Sequence, residues 1–219
     1  MDTKKKMVTG RVRAMRINNV VLPQYREFCR RNFEWMGGKF PIHDPCENMS
    51  DELWMRRSLK FFREEENCVD GFYPITTWLV FIDNYVMGVV RIASIVYDID
   101  DCQDNLTSHV DFCVDEKFRG GNASAAICEL AINLAFSATM EGEEVVVTYP
   151  EDHKAMPKVL ETVFRNNKFF EGKHIKGQDE DGNNVVGYRI AKRSGAYNPP
   201  YRRINVEEAK EVFGCVRKK

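Results

Sequence analysis

Six consecutive residues, Arg119-Gly120-Gly121-Asn122-Ala123-Ser124, have the makings of an anion seat. They follow a β-rich run over 108–114 and open a long apolar-striped segment over 124–137 that reads as a helix. The first amides of a helix lack intrahelical acceptors, and the helix dipole adds partial positive charge at that end. A glycine-bearing turn lets an anion come close to those amides, so this order suits a phosphate or pyrophosphate. The residues alone leave a second reading open: an ordinary strand-to-helix turn with Ser124 capping a core helix. Two titratable side chains, His109 and Asp111, stand on the strand before the turn, and Tyr149 ends the apolar run after it.

The elements that would position these residues can be read from periodicity. Residues 8–17 alternate, with Val8, Gly10, Val12 and Ala14 against Thr9, Arg11, Arg13 and Met15, as a half-exposed strand does. Pro23 suits a first helical turn; Tyr25, Phe28, Cys29, Phe33 and Met36 follow at helical spacing, and Gly37-Gly38 ends the helix. After a proline-bearing loop over 39–48, Ser50 is an expected N-cap, with Asp51 and Glu52 in the first turn and Leu53, Trp54, Phe61 and Phe62 on one apolar face. Two β-rich runs, 76–82 and 85–97, are joined by Asp83-Asn84, a two-residue hairpin signal. Gly88 within the second run points to a bulge or a close backbone approach. An acidic loop over 98–105 leads to the strand at 108–114, and the helix after it turns Ile127, Leu130, Ala131 and Leu134 inward. The run 144–148 reads as a strand buried on both faces. A helix over 154–166, with Pro157 in its first turn, carries Val159, Leu160, Val163 and Phe164 inward, and a hairpin of 173–178 and 185–192 closes the set. The order β-α-α-β-β-β-α-β-α-β-β implies an α/β protein of α+β type: a mixed, mostly antiparallel sheet with helices on both faces.

Composition narrows the function classes. A formal net charge of -1 gives no general pull toward nucleic acid, and the basic spots, Arg30-Arg31 among them, read as solvated faces. No apolar run of 18 residues is present, so no membrane partner is expected, and the opening MDTKKKMVTG lacks the apolar core of a secretory signal. Seven scattered cysteines without a C-x-x-C pair read as reduced thiols, which points to the cytoplasm. His43-x-x-Cys46 has no second ligand pair, so no metal is expected.

The order and three local stretches together resemble the GNAT superfamily of acyl-CoA N-acyltransferases over about 8–192. LVFIDNYVMGVVRI is similar to the family's second and third strands. VDFCVDEKFRGG is similar to its fourth strand and the opening of its pyrophosphate loop, V-x-P-x-x-R-G-x-G-x-G/A. VFRNNKFFE resembles its Y-x-x-x-G-F. The chain departs from the pattern at Asn122 and Ser124, where glycine is usual, at Phe164, where tyrosine is frequent, and at Lys168, where glycine is. Asn tolerates left-handed backbone and Ser is small, so the turn could keep its cradle.

The resemblance implies a single acyltransferase domain over 1–193, with 194–219 as an extension that packs on it or meets a partner. It implies acetyl-CoA as co-substrate, with Phe112, Cys113 and Val114 lying along pantetheine and Arg119, Gly120, Gly121, Asn122, Ala123 and Ser124 holding the diphosphate. Acetyl would pass by direct attack to a primary amine on a small molecule or a protein, and assembly as a homodimer stays open. Such transfer needs a base for the ammonium, donors for the carbonyl oxygen and a proton for the departing thiolate. His109 and Asp111 are the candidate bases, with Glu151 and Asp152 acting through water as further ones, and Tyr149 is the candidate acid because Phe164 has no proton to give. Cys113 has no evident activating base and is read as inert. The alternative is a catalytically inactive binding or structural protein of this fold.

Overall fold

The computed structural model describes residues 12–36, 49–67, 74–96, 106–119, 122–138, 144–178 and 182–192. The elements are β1 (Val12–Arg16), α1 (Leu22–Met36), α2 (Asp51–Asn67), β2 (Ile75–Ile82), β3 (Tyr85–Val96), β4 (Leu106–Val114), a short 3-10 turn (Glu116–Phe118), α3 (Ala123–Ala138), β5 (Glu144–Pro150), α4 (Met156–Asn166), β6 (Phe170–Gln178) and β7 (Asn184–Lys192). Their order is the expected one. Among the described residues the strands form one seven-stranded sheet, in the sequence β1-β2-β3-β4-β5-β7-β6. Pairing is antiparallel for β1–β2, β5–β7 and β6–β7 and parallel for β4–β5. The chain divides into two compact units. Residues up to Arg91 with Phe112–Ile127 belong to one; Ile92–Asp111 and the chain from Cys128 belong to the other.

In the first unit, α1 begins where the Asn18 side chain accepts hydrogen bonds from the amides of Val20 (2.8 Å) and Val21 (3.2 Å). Tyr25, Phe28 and Cys29 are buried with Ile17, Trp54, Phe62, Leu79, Phe81, Val89 and Cys113 in one apolar cluster. Full burial of a large apolar side chain contributes about 1.5–3 kcal/mol, so this cluster dominates the unit's stability. Ser50 caps α2 as expected, its hydroxyl accepting from the Leu53 amide at 3.3 Å. Leu53 itself departs from the expected apolar face: it is 37% exposed, while Trp54, Ser58 and Phe62 face inward. Arg26 is buried beneath α2, over the Trp54 ring (4.9 Å) and paired to Asp51. Asp83 takes a φ of 50° in the β2–β3 turn, the left-handed conformation that a two-residue hairpin demands. Gly88 makes the close approach expected of it: a Cβ there would lie 2.5 Å from the Cys113 carbonyl oxygen and 2.6 Å from Ile127 Cδ1.

In the second unit, β5 is the buried strand that its valines predict; Val145, Val146 and Val147 are sealed from solvent. It pairs with β7 through seven positions, Glu144–Ala191 to Pro150–Val185. The α3 residues in this unit are apolar on nearly every side and buried accordingly, from Cys128 to Phe136 with Glu129 as the half-buried exception. Leu160 and Val163 anchor α4, while Val159 and Phe164 are half-buried. The expected extension over 194–219, the metal-like His43 and Cys46, and the turn glycines Gly120 and Gly121 lie outside the described residues.

Candidate active site

Parallel β4 and β5 are paired through Thr107–Glu144, Ser108–Val145 and His109–Val146. There the ladder ends, although β4 continues through Val110 and Asp111 and β5 runs on to Pro150. At this point His109 Nε2 lies 2.9 Å from Thr148 Oγ1. On the other side of the ring, Nδ1 lies 3.6 Å from Asp111 Oδ2. A carboxylate, an imidazole and a hydroxyl thus stand in a row where two strands part. All three are half-buried. Sequence reading singled out His109 and Asp111 but missed Thr148, whose only mark was its place at the end of a buried strand.

Tyr149 is the next residue of β5, so it faces the opposite side of the sheet from Thr148 and His109. It is 5% exposed, with its ring edge-on to His153 at 6.3 Å. Burial pushes its hydroxyl above the usual tyrosine range, with Tyr188 and Glu161 adding to the rise. The structure therefore brings His109 and Asp111 together and sets Tyr149 on the other face. Glu151 and Asp152 are exposed in the turn after β5, where Glu151 pairs with Lys176 at 3.7 Å. Phe164 points its ring tip over Gly172, so tightly that a Cβ on that glycine would overlap the ring, and it meets the Tyr188 ring at 5.1 Å. It is a packing residue against β6 and β7.

The candidate cofactor residues belong to the first unit. Cys113 and Val114 are buried and Phe112 is half-buried at the end of β4. Burial raises the Cys113 thiol; Arg119 only partly opposes this, so the residue is a poor thiolate. The Arg119 side chain turns inward, donating from Nε to the Val114 carbonyl (2.9 Å) and from a terminal nitrogen to Asn32 Oδ1 (3.2 Å). It braces the turn rather than reaching outward for a phosphate. Helix α3 begins at Ala123, with the exposed Asn122 immediately before it and the Asn122 carbonyl accepting from the Ala126 amide at 2.9 Å. Ser124 therefore lies inside the first turn, which corrects the reading that made it the cap. Helix geometry leaves the amides ahead of Ala126 without intrahelical acceptors.

The turn after β4 is held in part by Arg31, which sequence reading took for solvated surface. Asp115 is 2% exposed. It accepts bonds from Arg31 Nε (3.1 Å) and a terminal Arg31 nitrogen (2.8 Å), from Asn32 Nδ2 (3.3 Å) and from the Lys117 amide (3.1 Å). Burial alone would raise its carboxyl, but the bonds from Arg31, Lys117 and Asn32 outweigh it and hold the group below the ordinary range. Arg31, expected in a solvated basic spot, is thus bound to a buried acid. A separate groove of about 310 Å³ beside α2, lined by Arg56, Leu59, Lys60, Arg63, Glu64 and Asn67, contains none of the candidate residues.

No protein-family model and no curated protein matches the sequence. Solved structures do match in fold. RimL, the ribosomal L7/L12 alpha-N-protein acetyltransferase, in complex with coenzyme A, aligns with a TM-score of 0.54 at 15% identity, over 85% of this chain and 96% of that one. AAC(6')-Ib in complex with ribostamycin and coenzyme A aligns with a TM-score of 0.56 at 13% identity, over 84% of this chain and 94% of that one. An acetyltransferase from Salmonella typhimurium that modifies the N-terminal serine of L7/L12 aligns with a TM-score of 0.53 at 11% identity, over 84% and 96%. The chain has the fold of the GNAT acetyltransferases. Among the described residues no helix is long and apolar enough to cross a membrane.

Proposed function

We propose that this protein is an acetyl-CoA-dependent N-acetyltransferase that passes acetyl to a primary amine by direct attack. The observation that carries this reading is the end of the β4–β5 ladder at His109 and Val146, in a chain with the GNAT fold. A strand that has lost its neighbour offers N–H and C=O groups to an extended ligand, as a sheet edge does to an added strand. Pantetheine fits that role along Phe112, Cys113 and Val114. The amides of Gly120, Gly121, Asn122, Ala123 and Ser124 suit the diphosphate, whereas that of Arg119 already donates to the Glu116 carbonyl (3.2 Å).

Acetyl-CoA supplies a thioester activated toward amines; the remaining work falls to the chain. Thr148 donates its hydroxyl proton to His109 Nε2 and accepts one from the acceptor ammonium, so the pair moves the amine's proton onto the imidazole. Asp111 Oδ2 lies 3.6 Å from Nδ1, on the other side of the ring. Tyr149, kept protonated by burial on the face of β5 opposite Thr148, is the proton donor to the departing thiolate. The acceptor is an amine on a small molecule or a protein; the fold neighbours include an aminoglycoside acetyltransferase and a protein acetyltransferase. We read 1–193 as the acyltransferase domain, 194–219 as its extension, and the cytoplasm as its place, in keeping with the free, buried Cys29, Cys113 and Cys128.

The test is thermal denaturation with and without acetyl-CoA, followed by thiol release across a panel of amines. A ligand present at about 100 times its Kd stabilises the native state by about 2.7 kcal/mol. A rise in Tm with acetyl-CoA and amine-dependent thiol release support the reading; no rise at about 1 mM acetyl-CoA refutes it. Phe164, with no proton to give and its ring tip over Gly172, favours a second reading, a protein of this fold that binds acetyl-CoA without turnover. A Tm rise with no thiol release from any amine is that reading's signature.

A further inference from the structure

Strand register sets a second group of charges on the face that carries His109 and Thr148. Val146 lies opposite His109 of β4 and opposite Arg189 of β7, and Arg189 in turn lies opposite Lys173 of β6. Residues opposite one another in paired strands share a face of the sheet. His109, Val146, Arg189 and Lys173 thus form one row across that face, and Thr148 stands in the next row, opposite Gly187. The helices of this unit meet the other face: Phe164 of α4 lies against Tyr188 at 5.1 Å, and Phe136 of α3 against Phe170 at 5.9 Å.

The two cations of the row are poorly provided for within the protein. Like charges directly opposite in a ladder destabilise it. The Arg189 side chain is 33% exposed, yet its Nε is buried without a hydrogen-bond partner among the described residues. Among those residues the one ion pair made by either cation is Arg189 with Glu144, at 3.4 Å. Glu144 lies on the far side of Val146 from Thr148, and Lys173 is exposed. A guanidinium is a rigid fork of five donors that matches a carboxylate or phosphate, and a second cation beside it strengthens the hold on an anion.

We propose that Arg189, with Lys173 beside it, binds an oxyanion carried by the acceptor, so that the acceptor is an amine bearing a carboxylate or phosphate a few bonds from its nitrogen. The inference rests on the acetyltransferase reading and adds the substrate class to it. Arg189 is the diagonal neighbour of Thr148, and such positions stand about 7–8 Å apart, within reach of a long side chain. Gly187 puts no side chain beside the Thr148 hydroxyl, so an acceptor held at its acidic end by Arg189 meets Thr148 with its amine.

The experiment uses the full chain saturated with CoA and measures the affinity of matched amines by ligand-observed NMR. Each pair is an acid and its counterpart without the acid: arginine and agmatine, tyrosine and tyramine, O-phosphoethanolamine and ethanolamine. The first two pairs report on carboxylate and the third on phosphate. In at least one pair the acid should bind about tenfold or more tighter than its counterpart, and this ratio should fall below about twofold in Arg189→Met. A ratio within one variant is not moved by a general loosening of the fold. Equal affinities in the wild type, tighter binding of the acid-free amines, no binding of any amine, or a ratio that survives Arg189→Met overturns the inference. If Arg189→Met fails to fold, Lys173→Met, at an exposed position, serves under the same criteria. A chain that releases thiol to amines but shows no preference for the acids loses this inference alone. A chain whose Tm does not rise with acetyl-CoA loses the acetyltransferase reading first and this inference with it.

Discussion

Gly88→Ala tests the close approach of β3 to the end of β4. The added methyl would lie 2.5 Å from the Cys113 carbonyl oxygen and 2.6 Å from Ile127 Cδ1. Non-bonded carbon atoms rest at about 3.5–4.0 Å, so about 1 Å of separation must be found. Ile127 is fully buried, and the Cys113 oxygen belongs to a strand backbone, so neither can simply swing aside. Overpacking a closed site costs typically about 1–3 kcal/mol, and the involvement of backbone places this site near the upper end. For a chain of this size about 3 kcal/mol lowers Tm by roughly 6–12 °C. Differential scanning calorimetry of the two proteins gives the number. The contact has two halves, and Gly88→Ala combined with Ile127→Val relieves only the side-chain half, so it should recover less than half of the loss. A Gly88→Ala protein that melts within about 2 °C of wild type would refute the geometry, and with it the placement of Cys113 beside β3.

Phe164→Tyr restores the residue usual in the family yet should not restore a proton donor: its hydroxyl would be driven into Gly172, at a cost of about 1–3 kcal/mol, and a rise in Tm or in amine-dependent thiol release contradicts this. Thr148→Val keeps the shape of β5 and removes one bond worth about 1 kcal/mol, so the fold should persist while thiol release falls about tenfold or more; full activity would exclude the hydroxyl relay. Asp115→Asn should cost about 2 kcal/mol at neutral pH, discounted for the partial exposure of Arg31. Its folded carboxyl lies below the unfolded value of about 3.9, so the wild-type advantage is complete above that pH and disappears as pH falls through the folded value. Glu65 and Glu129, whose carboxyls are raised by burial, act in the opposite sense, so the quantity to follow in urea titrations is the difference between wild type and Asp115→Asn; a difference that does not shrink in acid refutes the assignment.

Local signals carried most of the fold. Asp83-Asn84 announced a hairpin because only certain residues accept the φ that Asp83 shows, and the valines of β5 announced burial because no polar face interrupts them. Leu53 misled because an amphipathic pattern read at one-residue precision cannot say where the face ends; Ser58 fills the place instead. The site was legible only where its residues share a strand. Thr148 is 39 positions from His109, and Asp115 is 84 from Arg31, so neither pair leaves a periodic trace. Arg30-Arg31 looked like a solvated basic spot for the same reason: of two adjacent arginines, one pairs with Glu27 on its own helix and the other with a buried acid. Phe164 shows the limit of carrying over a family position: it stands where tyrosine is frequent, and only the structure places its ring over Gly172.

In the acetyltransferase reading, the two departures from the family's loop pattern, Asn122 and Ser124, bear on how such a turn can work without its usual glycines. Ser124 lies within α3, where ordinary helical backbone suits any residue, so a glycine at that place would serve space rather than conformation. A half-buried serine fills part of that space and, in the acetyltransferase reading, costs some closeness to the ligand. In the acetyltransferase reading, Ser124→Gly should therefore tighten CoA binding, and an unchanged or weaker affinity in titration calorimetry contradicts this.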